Sequence, residues 1–278
     1  MKAHDEFWIN GVRKEHISAA DRGLELGDGL FETMRYYQGN LIALDYHLKR
    51  LAIGLKELFF PDSLSRVTSD LNIVLTHLTI SSWEDAVIRV TVSRGTGARG
   101  YVPAASSSAS IVIKASAIDS SPMQQSSPMK VETGDFKLSI QPRLAGIKHT
   151  NRLEQILASI EQKQKNVDEL LLLNIDDLPI GFVSGNLFIR EHKTLLTPKL
   201  ESSGIEGTRR SLILSTLATE SGYSAYESDL SMERIFSADE LMFCNAIHGI
   251  RSVHRLDNKE WTDYSASRAL HESYIRGY

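Results

Sequence analysis

The sequence predicts an α/β protein with mixed sheets, divided into two domains. Three observations carry this. Helical patterns are mixed with strands of an antiparallel type along residues 1–118. The stretch from Asp119 to Pro128 is polar, rich in serine and punctuated by Pro122 and Pro128, with no periodicity. Strands then resume, followed by a helix and a continuous apolar run. A smaller N-terminal domain is therefore expected over 1–118, a linker over 119–128 and a larger domain over 129–278, the alternative being that 119–128 is an ordinary surface loop inside a single domain.

Taken in order, Phe7 to Ile9 enters a hairpin at Asn10-Gly11, a dipeptide that accepts the positive φ of tight turns. Asp45 is the expected cap of a helix with Leu48, Leu51, Leu55 and Leu58 on one face. A second helix is expected over 64–78, with Val67, Leu71, Val74, Leu75 and Leu78 inward. Strands follow at 87–93 and 110–115, joined by the glycine-rich stretch Gly95 to Gly100, and the sheet they belong to reads as antiparallel.

Beyond residue 128, strands are expected at 130–133 and 136–140. Asn151 can cap the next helix, with Glu154 completing a capping box and Leu153, Ile156, Leu157 and Ile160 forming one apolar stripe. Leu170 to Leu173 reads as a strand covered on both faces. Further strands are expected at 186–190, 194–197 and 240–245, and a helix from Thr208 to Gly222.

Composition narrows the function classes. The 278 residues are 42% hydrophobic and 24% charged, the balance of a soluble globular protein. A net charge of −4 argues against nucleic acid, which would need a basic surface. Cys244 stands alone, so no intrachain disulfide or cysteine metal site is expected, and the nine histidines show no ligand spacing. No apolar run has the length of a signal peptide or a membrane span. A cytoplasmic protein acting on a small molecule is the expectation, with no metal, nucleic acid or membrane partner.

Lys148 lies between a strand region and the helix after Asn151. Such a junction can hold a lysine on rigid elements while leaving it facing a cavity, as Schiff-base chemistry requires. On local grounds alone a solvated loop lysine is the commoner case. Gly204 to Arg209 runs a glycine turn into a helix, where the N–H groups of Thr208 and Arg209 would point at an anion. Alone, this is a weak signal.

Leu144-Ala-Gly-Ile-Lys148-His-Thr-Asn-Arg-Leu-Glu-Gln155 resembles the cofactor-lysine segment of aminodeoxychorismate lyases, members of the fold-type IV pyridoxal-phosphate enzymes. Ser18 to Gly23 followed by Gly27 to Thr33 is similar to the family's N-terminal signature, and His47-Leu-Lys-Arg50-Leu51 to its His-x-x-Arg-Leu helix. Ser93 to Tyr101 resembles a glycine-rich loop of the lyases. These motifs follow the family's order across nearly the whole chain.

The resemblance implies that Lys148 carries pyridoxal 5'-phosphate within the C-terminal domain of a D-amino acid/branched-chain aminotransferase-like fold. Arg50 would be the phosphate cation, joined by Gly207, Thr208 and Arg209 and more weakly by Asn245 and Ala246. Thr33 would pass a proton. Arg99, Tyr101 and Asn151 are candidate substrate contacts, the first two alternatively an exposed hairpin loop. His47 is expected to be structural, satisfied by backbone groups near its helix start. The implied assembly is a homodimer. The implied activity is conversion of 4-amino-4-deoxychorismate to 4-aminobenzoate and pyruvate in folate biosynthesis, with transamination of D- or branched-chain amino acids as the alternative.

One departure stands out. Family members carry a glutamate seven residues before the phenylalanine of Asn-Leu-Phe, where it pairs with the cofactor's ring nitrogen. Here Phe188 leads back to Gly181. Such a carboxylate deepens the electron sink, and its loss also admits a cofactor-free binding homologue. Asp176 and Asp177 are the nearest acids, but the register puts them in the preceding turn; a nearby hydroxyl such as that of Ser184 is expected to make at most a weak contact.

Overall fold

The structure is a computed structural model and describes residues 5–97, 99–104, 108–118 and 121–276. The first two positions of the expected linker, 119 and 120, lie outside the described residues. Residues 1–121 form one compact unit together with Ile147–Asn151, and residues 122–146 with 152–278 form a second.

In the first unit, β1 (Glu6–Ile9) turns into β2 (Val12–Arg13) through Asn10 and Gly11, at φ 51° and 73°. The short helix α1 (Arg22–Leu26) precedes β3 (Gly29–Tyr37) and β4 (Asn40–Leu41). The helices α2 (Leu44–Glu57) and α3 (Leu64–Ile80) follow, then β5 (Asp85–Ser93) and β6 (Ser110–Ala117). The strands pair antiparallel in the order β2-β1-β6-β5-β3-β4. Alternate residues of β5 and β6, among them Ile88, Val90, Ile111 and Ile113, share a core with Leu51 and Leu55 of α2 and with Val67, Leu71, Val74 and Leu78 of α3. The predicted apolar faces of both helices are thus the buried ones. Asp45 does not cap α2. The cap position is Ala43, in the left-handed region, and Asp45 stands in the first turn, where its charge still complements the positive helix end.

The sequence reading assigns residues 147–151 to the C-terminal half, whereas the structure packs them on the first unit. The reason is backbone pairing along the start of β3. Phe31 N–H donates to Lys148 O (3.0 Å), Thr150 N–H donates to Gly29 O (2.9 Å), and Leu30 bridges His149 antiparallel.

The second unit is built on a nine-stranded sheet. Its strands are β7 (Met129–Leu138), β8 (Glu169–Asn174), β9 (Pro179–Phe182), β10 (Asn186–Glu191) and β11 (Thr194–Pro198), then β12 (Ser224–Ser228), β13 (Glu240–Asn245), β14 (Gly249–Leu256) and β15 (Lys259–Glu260). The order is β12-β11-β10-β13-β14-β7-β8-β9, with β15 on β14. Pairs β11–β12, β14–β7 and β7–β8 are parallel and the others antiparallel, so the sheet is mixed. β7 replaces the two strands expected there: the chain stays in the sheet, and its register against β8 shifts between Thr133 and Lys137. β8 is buried along its length, as its apolar run predicts.

The helices of this unit are α4 (Leu153–Lys165), α5 (Thr208–Leu212), a π-helical turn (Ile213–Leu217), α6 (Ala218–Glu220), α7 (Met232–Ser237) and α8 (Ser265–Ile275). Two expectations for α4 are corrected. Asn151 is not its cap. The cap position is Arg152, without a side-chain bond, and Glu154 reaches Ser139 N–H at 2.8 Å instead of closing a capping box. The stripe Leu153, Ile156, Leu157 and Ile160 is 51% to 73% exposed. Ala158 is the residue α4 buries, against Leu170 and Leu172. A narrow alanine contact lets the helix lie on β7 and β8 with its wider apolar stripe turned away.

Candidate functional site

In the first unit the site begins with Phe31. β3 alternates: Leu30, Met34 and Tyr36 enter the core, so Phe31 and Thr33 belong to the opposite face. Thr33 pairs with Arg89 of β5, which puts those two side chains on the same face. The half-buried Lys148 places Nζ 4.5 Å from the centroid of the Phe31 ring, and Arg89 stacks its guanidinium on the same ring at 3.9 Å. Lysine, aromatic ring, hydroxyl and arginine therefore share one face of the sheet. Arg89 was not singled out from the sequence. Its signal was present: a lone cation among alternating apolar residues of a strand.

The residues after Lys148 fasten the segment. Thr150 Oγ1 donates to Gly27 O (2.5 Å), and Asn151 Nδ2 donates to the same carbonyl (2.8 Å). Gly27 sits at φ 64° and a side chain there would strike Asn151, so Asn151 is a clamp on the turn before β3.

Arg50 is held by a carboxylate. Its Nε and Nη2 donate to the two oxygens of Glu32 at 2.7 and 2.5 Å, and His47 Nδ1 lies 2.6 Å from Glu32 Oε2. His47 is fully buried, as a structural residue should be, and its Nδ1 joins Glu32 and Arg50 in one cluster. Burial alone would raise the pKa of Glu32, but the Arg50 charge and the bonds from Arg50 and His47 outweigh it and hold the value at about 2. Glu32 also escaped the sequence reading. It shares the inward parity of Leu30 and Met34, and a carboxylate at a core position calls for a buried cation.

Arg99 and Tyr101 are both exposed, and Ala98, immediately before them, lies outside the described residues. The loop is held from beneath by the buried Arg22, which donates to Gly100 O (2.9 Å) and Tyr101 O (2.8 Å) while its Nε bonds Asp28 (2.9 Å).

In the second unit, Gly207 is the cap position of α5 and brings no side-chain acceptor. A Cβ there would lie 1.9 Å from Asn186 Oδ1. Asn186 Nδ2 donates to Ile205 O at 2.9 Å, so the loop is closed down on that amide. Gly146, two residues before Lys148, exchanges bonds with the same loop: its N–H donates to Gly204 O (3.0 Å), and Glu206 N–H donates to its carbonyl (3.1 Å). Thr208 is buried. Arg209 is 1% exposed, donates Nε to Tyr274 Oη (2.7 Å) and Nη2 to Ala246 O (3.3 Å), and has a buried Nη1 without a hydrogen-bond partner. Asn245 Oδ1 accepts from the N–H groups of Ile247 (3.0 Å) and His248 (2.7 Å), shaping the turn that carries Ala246. The candidate phosphate residues of this unit are therefore brought together by Asn186 and the side chain of Arg209.

A family model described as amino-transferase class IV matches residues 29–256. The chain belongs to the class IV aminotransferase family. An aminodeoxychorismate lyase of Vibrio harveyi is 32% identical over 248 residues, 89% of this chain and 90% of that protein. A putative branched-chain-amino-acid aminotransferase of Methanocaldococcus jannaschii is 29% identical over 259 residues, 91% and 88% of the two chains. Among solved structures, a 4-amino-4-deoxychorismate lyase from Pseudomonas aeruginosa superposes with a TM-score of 0.86 at 32% identity, covering 97% of this chain and 98% of that one. These likenesses agree with the fold-type IV resemblance, and the two sheets, one antiparallel and one mixed, belong to that fold.

In this member of the class IV aminotransferase family, Gly181 lies in β9 opposite Leu172. A Cβ there would stand 3.0 Å from Gly185 O, which also accepts the Phe182 N–H at 2.8 Å. The nearby Ser184 hydroxyl donates to Glu169, which also receives the Ser184 N–H. Desolvation by burial pushes the pKa of Glu169 up to about 7 against those bonds. Among the described residues no helix is long and apolar enough to cross a membrane, and no cluster of His, Cys, Asp or Glu is suited to a metal.

Proposed function

We propose that the protein is a pyridoxal-phosphate-dependent lyase that converts 4-amino-4-deoxychorismate to 4-aminobenzoate and pyruvate in the cytoplasm, as a step of folate synthesis. The observation that carries this reading is the likeness, over about nine-tenths or more of both chains, to two aminodeoxychorismate lyases.

The residues present fit a phosphate-bearing aldehyde. The Gly204–Arg209 loop is closed to side chains at Gly207, leads into a helix without a side-chain cap and has the orphaned Nη1 of Arg209 beside it. Thr208 and the Asn245–Ala246 turn of the same unit complete that set, and the family resemblance gives Arg50 of the first unit the role of phosphate cation. Lys148 is the attachment point, and the bound cofactor supplies the electron sink. In this reading Lys148 takes the proton from the ring carbon bearing nitrogen. The bond from the ring to the enolpyruvyl oxygen breaks, the ring becomes aromatic, and enolpyruvate is protonated to pyruvate. Thr33 is the hydroxyl on the same face that can pass a proton. Arg89 offers a cation for a substrate carboxylate, and Arg99 and Tyr101 serve the substrate from the exposed loop.

The protein acts as a homodimer on this reading, supported by the exposed apolar stripe of α4, a contiguous patch of the kind that marks association surfaces.

The deciding experiment incubates the protein with pyridoxal phosphate and 4-amino-4-deoxychorismate and follows pyruvate and 4-aminobenzoate. Equal release of both supports the lyase. No pyruvate, with keto acid formed from D-alanine or branched-chain amino acids, would establish the aminotransferase reading, which the Methanocaldococcus relative favours. A colourless protein that cannot take up the cofactor would leave a binding homologue.

A further inference from the structure

Arg50 is aimed by two neighbours, and the role given to them here rests on the reading of Arg50 as the cofactor's phosphate cation. Glu32 occupies a core position of β3, between Leu30 and Met34, and is 2% exposed. An apolar side chain there would be the cheaper choice, because a buried ion pair commonly repays no more than its desolvation. The use of such a pair must therefore lie in its geometry.

His47 and Arg50 stand three residues apart on α2, hence on one face of the helix. Both converge on the Glu32 carboxylate, Arg50 through Nε and Nη2 and His47 through Nδ1. A two-pronged grip fixes the plane of a guanidinium as well as its distance. Because the group is rigid, the direction of its third nitrogen, Nη1, follows from the other two. His47 is fully buried, Glu32 nearly so, and Arg50 retains 12% of its side-chain exposure, making it the outward-facing member. The carboxylate is tied from behind and the arginine held from the side.

We propose that Glu32, anchored by His47, is a positioning residue that sets the orientation in which Arg50 receives the cofactor phosphate. It touches neither substrate nor reacting atoms. Its work is to remove the rotamer freedom of a long cationic side chain before the anion arrives, a cost that binding would otherwise meet.

The test compares pyridoxal phosphate with pyridoxal, which lacks the phosphate, as ligands of the full chain. Wild type, Glu32→Gln, His47→Gln and Arg50→Gln are titrated by absorbance. Glu32→Gln and Arg50→Gln should each weaken pyridoxal phosphate by about tenfold or more and leave pyridoxal within about twofold. The ratio of the two affinities is the readout, since a merely structural loss would lower both alike. If Arg50→Gln lowers the ratio and Glu32→Gln does not, the positioning role is wrong while the phosphate reading stands. If Arg50→Gln leaves the ratio unchanged, the phosphate reading falls and the proposal with it. Should Glu32→Gln fail to fold, His47→Gln, which keeps the carboxylate and loosens its anchor, is read by the same ratio: a drop supports the proposal and an unchanged ratio overturns it.

Discussion

The Phe31 backbone N–H donates to Lys148 O at 3.0 Å, and the Phe31 ring lies 4.5 Å from the same lysine's Nζ. One residue thus holds both ends of the lysine, its backbone in the sheet and its ammonium over an aromatic face.

That hold predicts the outcome of trapping. Borohydride reduction of the protein loaded with pyridoxal phosphate should mark Lys148 and no other lysine, read by peptide mapping. Lys148→Ala should melt within a few degrees of wild type, because its fastening bonds are made by backbone and by Thr150 and Asn151. Label on another lysine would end the assignment.

Gly207→Ala should cost roughly 1–3 kcal/mol of stability, the usual range for forcing atoms into a packed site. The added carbon would lie 1.9 Å from Asn186 Oδ1 and would displace the amide that holds Ile205. Chemical denaturation measures the loss. Pyridoxal-phosphate affinity should fall in the same variant, and a variant as stable as wild type would mean the loop yields freely.

Glu169 predicts a pH dependence. Its folded pKa is raised to about 7 from an ordinary value of 4.5, so between those values the folded state binds more protons than the unfolded one. Stability therefore falls as pH rises from about 4.5 to 7 and levels off above, a contribution of roughly 3 kcal/mol at most. Glu169→Gln should flatten that slope in melts across about pH 4.5 to 8. An identical slope in the variant would show that another group sets it.

The α4 stripe predicts an association defect. Ile156→Asp and Leu157→Asp should leave the helical signal intact and shift the sedimentation coefficient from dimer to monomer. A monomeric wild type would refute the proposed interface.

Gly181 bears on reaction choice. Aromatisation gives elimination its own driving force, whereas transamination depends more on the ring-nitrogen carboxylate that the family resemblance assigns to this position. Gly181→Glu should raise slow transamination of alanine relative to pyruvate release from aminodeoxychorismate. The backbone oxygen 3.0 Å from the new Cβ requires a shift of a few tenths of an ångström, so the ratio of the two activities is the quantity to compare. Efficient transamination by wild type would contradict the view.

Local pattern determined much of this protein on its own. The Asn10-Gly11 hairpin, the inward faces of α2 and α3, the buried β8 and the glycine turn before Thr208 follow from positive-φ residues and from apolar spacing, which act over a few neighbours. The motif order likewise points to the family without the fold. Tertiary structure decided the rest, because the partners are distant in sequence. Asn151 was free to cap a helix until Gly27, 124 residues away, offered its carbonyl. Glu154 was taken by Ser139. The stripe of α4 had the spacing of a core face, yet the contact available on β7 and β8 was met by Ala158. His47 and Arg50 could be read singly and Glu32 could not, because only the docking of α2 on β3 turns a carboxylate at a core position into the seat of an arginine. Lys148 itself belongs to the second half of the chain by position and to the first unit by its hydrogen bonds. Sequence spacing specifies which faces a segment presents, and the competition among distant donors and acceptors for those faces is settled when the chain folds.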